Sequence, residues 1–246
     1  MNLLLVAALD VMAESVEIIP TRATQARTVS WLSKGKWAFR LICAGLFLTT
    51  LAFCIPASRM QILAMAGQIL VVQQSAAKAD VIAVALDADG AGALEAADLV
   101  HRGVCPQVAV FEDPPSKVDL EFLRRGLPYE DRAADTTRQL HALKVQNVTE
   151  IPRNASGSEE EGDILPSWSE QHGYRTVILV TSSDHSRRLN RILRRSSRGY
   201  QIRVFIQPSP YSEFDPHSWW KSREGVRTEI VEFQKLALDL VRHPLS

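Results

Sequence analysis

YRTVILVTSSDHSRRLNRIL, residues 174–193, reads as a strand, a turn and a helix in direct succession. Residues 176–180 form an unbroken apolar run, as expected of a strand buried in a parallel sheet. The polar turn Thr181-Ser182-Ser183-Asp184-His185 follows, and then an Arg-rich helix. In an open α/β sheet the ligand crevice lies at the carboxyl ends of the strands, so this turn sits where chemistry gathers. Its hydroxyls, carboxylate and imidazole, followed by Arg187 and Arg188, suit an anion held at a helix N-terminus.

The same alternation extends outward in both directions. The continuous apolar run at 80–86 predicts a central strand, and 107–111, 148–151 and 201–206 read as further strands, with a short extended piece at 127–129. Helical spacing covers 91–101, ending at Gly103, and 118–125, closed by Gly126. A helix over 136–144 is expected behind an Asp135 cap, and another over 158–172, broken or kinked at Pro166. A last helix spans 224–241, and 60–72 is apolar with helical spacing, leading into the domain. Strands separated by helices predict an α/β fold: a doubly wound, mainly parallel sheet with helices on both faces.

Composition narrows the function classes. The 246 residues carry zero formal net charge, which argues against a nucleic-acid binder working through bulk positive charge. Cys43, Cys54 and Cys105 are too few and too scattered for a disulfide framework or a zinc site. Residues 41–58 carry no charge, and 37–39 extend the apolar reach past Arg40 to the roughly 20 residues a membrane helix needs. Lys34, Lys36 and Arg40 precede this segment, while Arg59 and Lys78 are the basic residues close behind it. That asymmetry predicts a single-pass inner-membrane anchor with a cytoplasmic N-terminus and an extracytoplasmic or periplasmic domain. The competing readings are a signal peptide cut near Ala57, with a mediocre cleavage sequence at Ile55-Pro56-Ala57, a lipoprotein box at Leu51-Ala52-Phe53-Cys54, where Phe is the wrong size, and a buried core helix. The organisation expected is an extension over 1–36, an anchor over 37–58, a connector over 59–78 and an α/β domain over 79–246.

ADVIAVAL at 79–86, His101-Arg102-Gly103, LVTSSDHSRRL at 179–189 and DPHSWWKSREGVRTEIVEFQKL at 215–236 together resemble the SanA/ElyC/YdcF family. The resemblance implies a Rossmann-like domain associated with the bacterial envelope, in lipid-carrier or peptidoglycan metabolism. One member of that family is associated with S-adenosylmethionine. The chain departs from the family where a glycine-rich turn usually follows the first strand: here Asp87-Ala88-Asp89-Gly90 stands instead. Carboxylates at that position repel phosphate unless a cation intervenes. The family's Thr-rich turn before a helix corresponds loosely to 156–161, where Ser158 and Glu161 would fill the equivalent roles.

These observations single out a set of residues, each with an everyday alternative. His185 is the candidate general acid/base or anion ligand, and Glu161 a second catalytic candidate; a first-turn Glu is also simply favoured by the helix dipole. Ser182, Ser183, Asp184, Arg188 and Ser158 are the candidate ligand-binding residues, although Asp184 serves equally as a helix cap. Asp87 and Asp89 could hold a divalent cation, the one cofactor the sequence suggests, or merely form a turn. Arg187, Arg191, Arg194 and Arg195 read as a solvated face or a patch facing anionic lipid. Glu229 and Glu232 read as helix-surface or packing positions, and Trp219 and Trp220 as core or docking residues. The expected function is binding or processing of a phosphate-bearing envelope ligand, such as a polyprenyl-phosphate-linked sugar, beside other envelope-biogenesis proteins. A non-catalytic nucleotide-type domain and a non-enzymatic membrane scaffold are the rivals.

Overall fold

The computed structural model describes residues 37, 39–45, 54–153 and 157–244. The chain divides into two units, Met1–Arg59 and Met60–Ser246. Within the first, residues 37 and 39–45 are helical; the expected extension over 1–36 and much of the expected anchor lie outside the described residues. Among the described residues, no helix is long and apolar enough to cross a membrane.

The second unit is built on five parallel strands: β1 (Val81–Val84), β2 (Gln107–Phe111), β3 (Asn147–Ile151), β4 (Thr176–Thr181) and β5 (Arg203–Pro208). Their order is β3-β2-β1-β4-β5. The most apolar runs are central, and every residue of β1 is buried. The more polar β3 and β5 lie at the edges, where one side needs no apolar cover.

Helices α1 (Pro56–Gln68), α2 (Asp89–His101), α3 (Lys117–Arg124), α4 (Arg132–Ala142), α5 (Ser158–Gln171), α6 (Ser186–Ser196) and α7 (Arg223–Arg242) complete the chain. Strand side chains alternate between faces, and each face has its own core. Ile82, Val84, Val110 and Val180 pack with Ala93, Ala96 and Ala97 of α2 and Leu140 of α4. Val81, Ala83, Phe111 and Leu179 pack with Leu165 and Trp168 of α5 and Leu189 and Leu193 of α6. The α/β architecture with an all-parallel sheet is therefore as the sequence predicts.

Several local expectations are corrected. Helix α4 starts at Arg132, because Asp131 rather than Asp135 is the cap: its carboxylate accepts from the Ala133 amide at 3.0 Å and the Asp113 amide at 2.9 Å. Asp135 instead sits in the first turn and pairs with Arg138. Residues 127–129 join no strand. Pro166 lies within α5, which runs on to Gln171. Helix α1 ends at Gln68, and the chain then crosses the start of α6. There the Leu70 carbonyl accepts from the Arg187 amide at 3.0 Å, and the Val72 amide donates to Ser186 Oγ at 2.8 Å. Further on, the Gln74 amide donates to the Ile206 carbonyl at 2.8 Å, and the Ile206 amide donates to Gln74 Oε1 at 3.1 Å.

Helix α7 is polar inside and apolar outside. Its buried residues are Glu229, Glu232, Leu236 and Asp239, spaced by three and four so that they share one face. Arg188 lies 3.4 Å from Glu232, and Asp239 takes Arg191 at 2.5 Å and Arg195 at 2.8 Å. Ile230, Phe233, Leu238 and Val241 are exposed. Ion pairs between α6 and α7 thus form much of the contact that apolar burial usually makes.

Close approach of α5 to α6 depends on Gly162, where an added Cβ would sit 2.3 Å from Cγ2 of the buried, β-branched Ile192. Gly162→Ala should therefore destabilise the unit by about 1–2 kcal/mol, overpacking outweighing the gain in helix propensity. Urea unfolding would show this as a lower midpoint at unchanged slope.

Candidate functional site

Strand order reverses between β1 and β4, and in open parallel sheets the ligand crevice lies outside the strand ends at that point. A cavity of about 610 Å³ opens there. From the β1 side comes a single turn of 3-10 helix, Leu86–Ala88, and from the β4 side the turn at 182–185 that precedes α6. Asp87 ties the two together. Its Oδ2 accepts from Thr181 Oγ1 at 2.8 Å, the Ser182 amide at 2.9 Å and Ser182 Oγ at 2.6 Å. Its Oδ1 is buried without a hydrogen-bond partner.

Glu161, in the first turn of α5, is buried beside this carboxylate. Its Oε1 accepts from the Leu86 amide at 3.3 Å and lies 3.5 Å from Arg153, while Oε2 has no partner. Burial, and then the charge of Asp87, push the Glu161 carboxyl up to about 7, against the pull of Arg153, the Leu86 amide and His185. Arg153 is held rigidly for this role. It donates to the carbonyls of Glu112 and Gly157 at 3.4 and 3.3 Å, and its guanidinium lies over Phe111.

His185 lines the cavity. Its Nδ1 lies 3.0 Å from Asp184 Oδ2 and 3.6 Å from Glu232 Oε2. Burial disfavours the imidazolium, but Asp184, Asp87 and Glu232 outweigh it and hold the pKa above the ordinary value. The carboxylate partner favours the proton on Nδ1, which leaves Nε2 as the basic nitrogen of the neutral ring. Burial likewise works against Asp184, yet its bond to His185 keeps that carboxyl below the usual range. A buried carboxyl raised to about 7 and an imidazole raised above its ordinary value thus lie at one strand-end junction, a setting suited to general acid/base chemistry.

The sequence-derived candidates divide by position. Asp87, Asp89, Ser182, Asp184 and His185 line the cavity. Arg188 does not: it is turned to Glu232 and to Ser158 Oγ, 3.4 Å away. Ser183 is also occupied, its amide donating to Ser212 Oγ at 3.1 Å and its hydroxyl to the Ser209 carbonyl at 3.3 Å. With the Ser182 amide on Asp87 and the Arg187 amide on Leu70, several of the amides expected to cradle an anion are taken by the protein's own acceptors. Asp87 and Asp89 diverge, Asp89 pairing with Arg132 of α4. Among the described residues, the three potential metal ligands that come together, within 4.8 Å, are Asp184, His185 and Glu232.

Arg153 escaped the sequence reading. Glu229 and Glu232, read as helix-surface or packing positions, are packing positions, both buried. Arg153 stands in a polar loop and has no local signature. The cavity wall is acidic, with Asp87, Asp89, Asp184, Glu213 and Glu224 and neither Lys nor Arg among the described lining residues.

In comparisons with known proteins, no family model, curated protein or solved structure matches the chain.

Two predictions arise from this geometry. Because the Glu161 pKa is raised on folding, its stabilising contribution is complete below 4.5 and is lost as pH rises through about 7. The raised pKa of His185 acts in the same direction. Denaturation midpoints should therefore fall across that window, and Glu161→Gln should flatten the fall even if it lowers stability throughout. Asp89 has φ 43° and ψ −138°, a strained conformation for any residue with a side chain. Asp89→Gly should stabilise the unit by about 1 kcal/mol, since the exposed Arg132 pair it removes is worth little. Thermal unfolding of the two forms would show it.

Proposed function

We propose that the Met60–Ser246 unit is a Rossmann-like domain that binds, and exchanges protons with, a phosphate-bearing envelope ligand. A polyprenyl-phosphate-linked sugar has the required chemistry, and residues 37–58 would anchor the domain to the inner membrane. The observation that carries this reading is the buried Glu161 carboxyl, poised near neutrality and coupled to Asp87 and His185 at the strand-order reversal. In this scheme His185 moves the proton at the ligand. Glu161, which does not line the cavity, sets the charge of the Asp87–His185 pair from behind. The acidic wall adds a condition: a phosphate enters only with a divalent cation, because bare anions are repelled by the lining carboxylates. Asp184, which lines the cavity and has His185 and Glu232 within 4.8 Å, is the carboxylate placed to hold it.

The same wall favours a second reading. A cavity lined by carboxylates without Lys or Arg suits a cationic ligand, and a sulfonium nucleoside such as S-adenosylmethionine would bind there without metal and without turnover.

Thermal shifts of the Met60–Ser246 unit separate the two. Polyprenyl phosphates and nucleotide sugars should stabilise it only with Mg²⁺, by about 2.7 kcal/mol at a hundredfold excess over Kd, and His185→Ala should abolish the shift. A metal-independent shift with S-adenosylmethionine would select the second reading. No shift with any ligand would leave the unit a membrane scaffold.

A further inference from the structure

A second cavity, of about 640 Å³, lies away from the crevice, between α6, α7 and the segment that crosses them after α1. Its lining is the reverse of the acidic one. Arg187, Arg191 and Arg194 are spaced by four and three, so they project from one side of α6. Ile69, Leu236 and Leu240 form the apolar wall, and no Asp or Glu is among the described lining residues.

The positive charge of this groove rests on Arg187 and Arg194. Arg187 donates to the carbonyls of Ile69 and Val71, which orient the guanidinium without cancelling its charge. Arg191 is engaged by Asp239, which also takes Arg195, and donates to the His243 carbonyl at 2.7 Å. Arg194 is exposed. Helix α6 itself, SRRLNRILRRS, contains five Arg and no acid. Beyond the groove the apolar surface continues: Ile69 and Leu240 are each 45 % exposed and Val241 80 %. A soluble anion has no use for such a wall, and a purely apolar partner has none for the arginines.

We infer that this groove docks the domain on a bilayer, taking the phosphate headgroup of an anionic lipid against Arg187 and Arg194 while Leu240 and Val241 enter the interface. This surface is distinct from the crevice and rests on no part of the reading given for it. It also explains the inverted helix α7: the carboxylates turned inward hold the arginines in place, and the apolar face is left for lipid.

The test uses the Met60–Ser246 unit, which holds the whole sheet and both of its cores and omits the apolar segment before it. It should co-sediment with phosphatidylcholine vesicles containing phosphatidylglycerol, much less with phosphatidylcholine alone, and release as salt is raised. At roughly 1 kcal/mol per basic residue near the surface, Arg194→Gln should weaken binding about fivefold and Arg194→Glu more than tenfold. Leu240→Asp should weaken it as well. Near-ultraviolet circular dichroism unchanged in Arg194→Glu shows that the fold is retained. Equal binding to both vesicle types, or full binding by Arg194→Glu, would overturn the inference. Stabilisation by inorganic phosphate that Arg194→Glu abolishes, without any vesicle binding, would also overturn it, marking a soluble-anion site instead.

Discussion

Oδ2 of Asp87 accepts three hydrogen bonds from the residues that close β4, and those bonds join the two strand ends between which the sheet order reverses. One acceptor thereby fixes the start of α2, the path of the turn at 182–185 and the orientation of everything that turn carries. A charged acceptor makes stronger hydrogen bonds than a neutral one, which suits a junction with little apolar area of its own. The other oxygen of the same carboxylate is buried without a partner and faces the charge of Glu161. The fold is thus held at this point by a group whose second half is electrostatically unsatisfied. A proton on Glu161 relieves the repulsion, and so does a cation or ligand that brings positive charge.

Charge is segregated along this chain despite a net charge of zero. Carboxylates converge on the crevice at the strand ends, while the arginines of α6 gather at its side and on the face turned to α7. Buried ion pairs seldom stabilise more than the apolar contacts they replace, so the α6–α7 layer argues for specificity of docking rather than for strength. Its geometry is well suited to that: Glu232 takes Arg188, Lys235 and the neighbourhood of His185, and Asp239 takes two guanidiniums.

Much of the architecture was legible because parallel strands buried on both faces have no alternative to unbroken apolar runs, as at 80–86 and 176–180. The position of the crevice followed from topology alone, and Asp87, Ser182, Asp184 and His185 were found with it. What was hidden depended on tertiary charge. Nothing local distinguishes Asp131 from Asp135 as a cap, since both precede helical sequence; the choice is made by the Asp113 amide, which needs an acceptor from outside its own loop. Arg188 has the motif of an anion ligand, and only the fold reveals that Glu232 claims it. Between the surface and packing readings of Glu229 and Glu232 the sequence has no means to choose, because acids on a helix usually face solvent and α7 inverts that rule.

The segment at 69–74 has a consequence for how the unit behaves as a polymer among its own kind. β5 is a sheet edge, and the backbone groups of Ile206 would be open to pairing with a strand from another molecule. Gln74 occupies both of them, one with its amide and one with its side chain. The incoming chain is therefore also the edge guard. A fragment beginning after Gln74 would keep every strand of the sheet and yet expose a template for aggregation. One of the two sheet edges is thus covered by a stretch that belongs to no regular element.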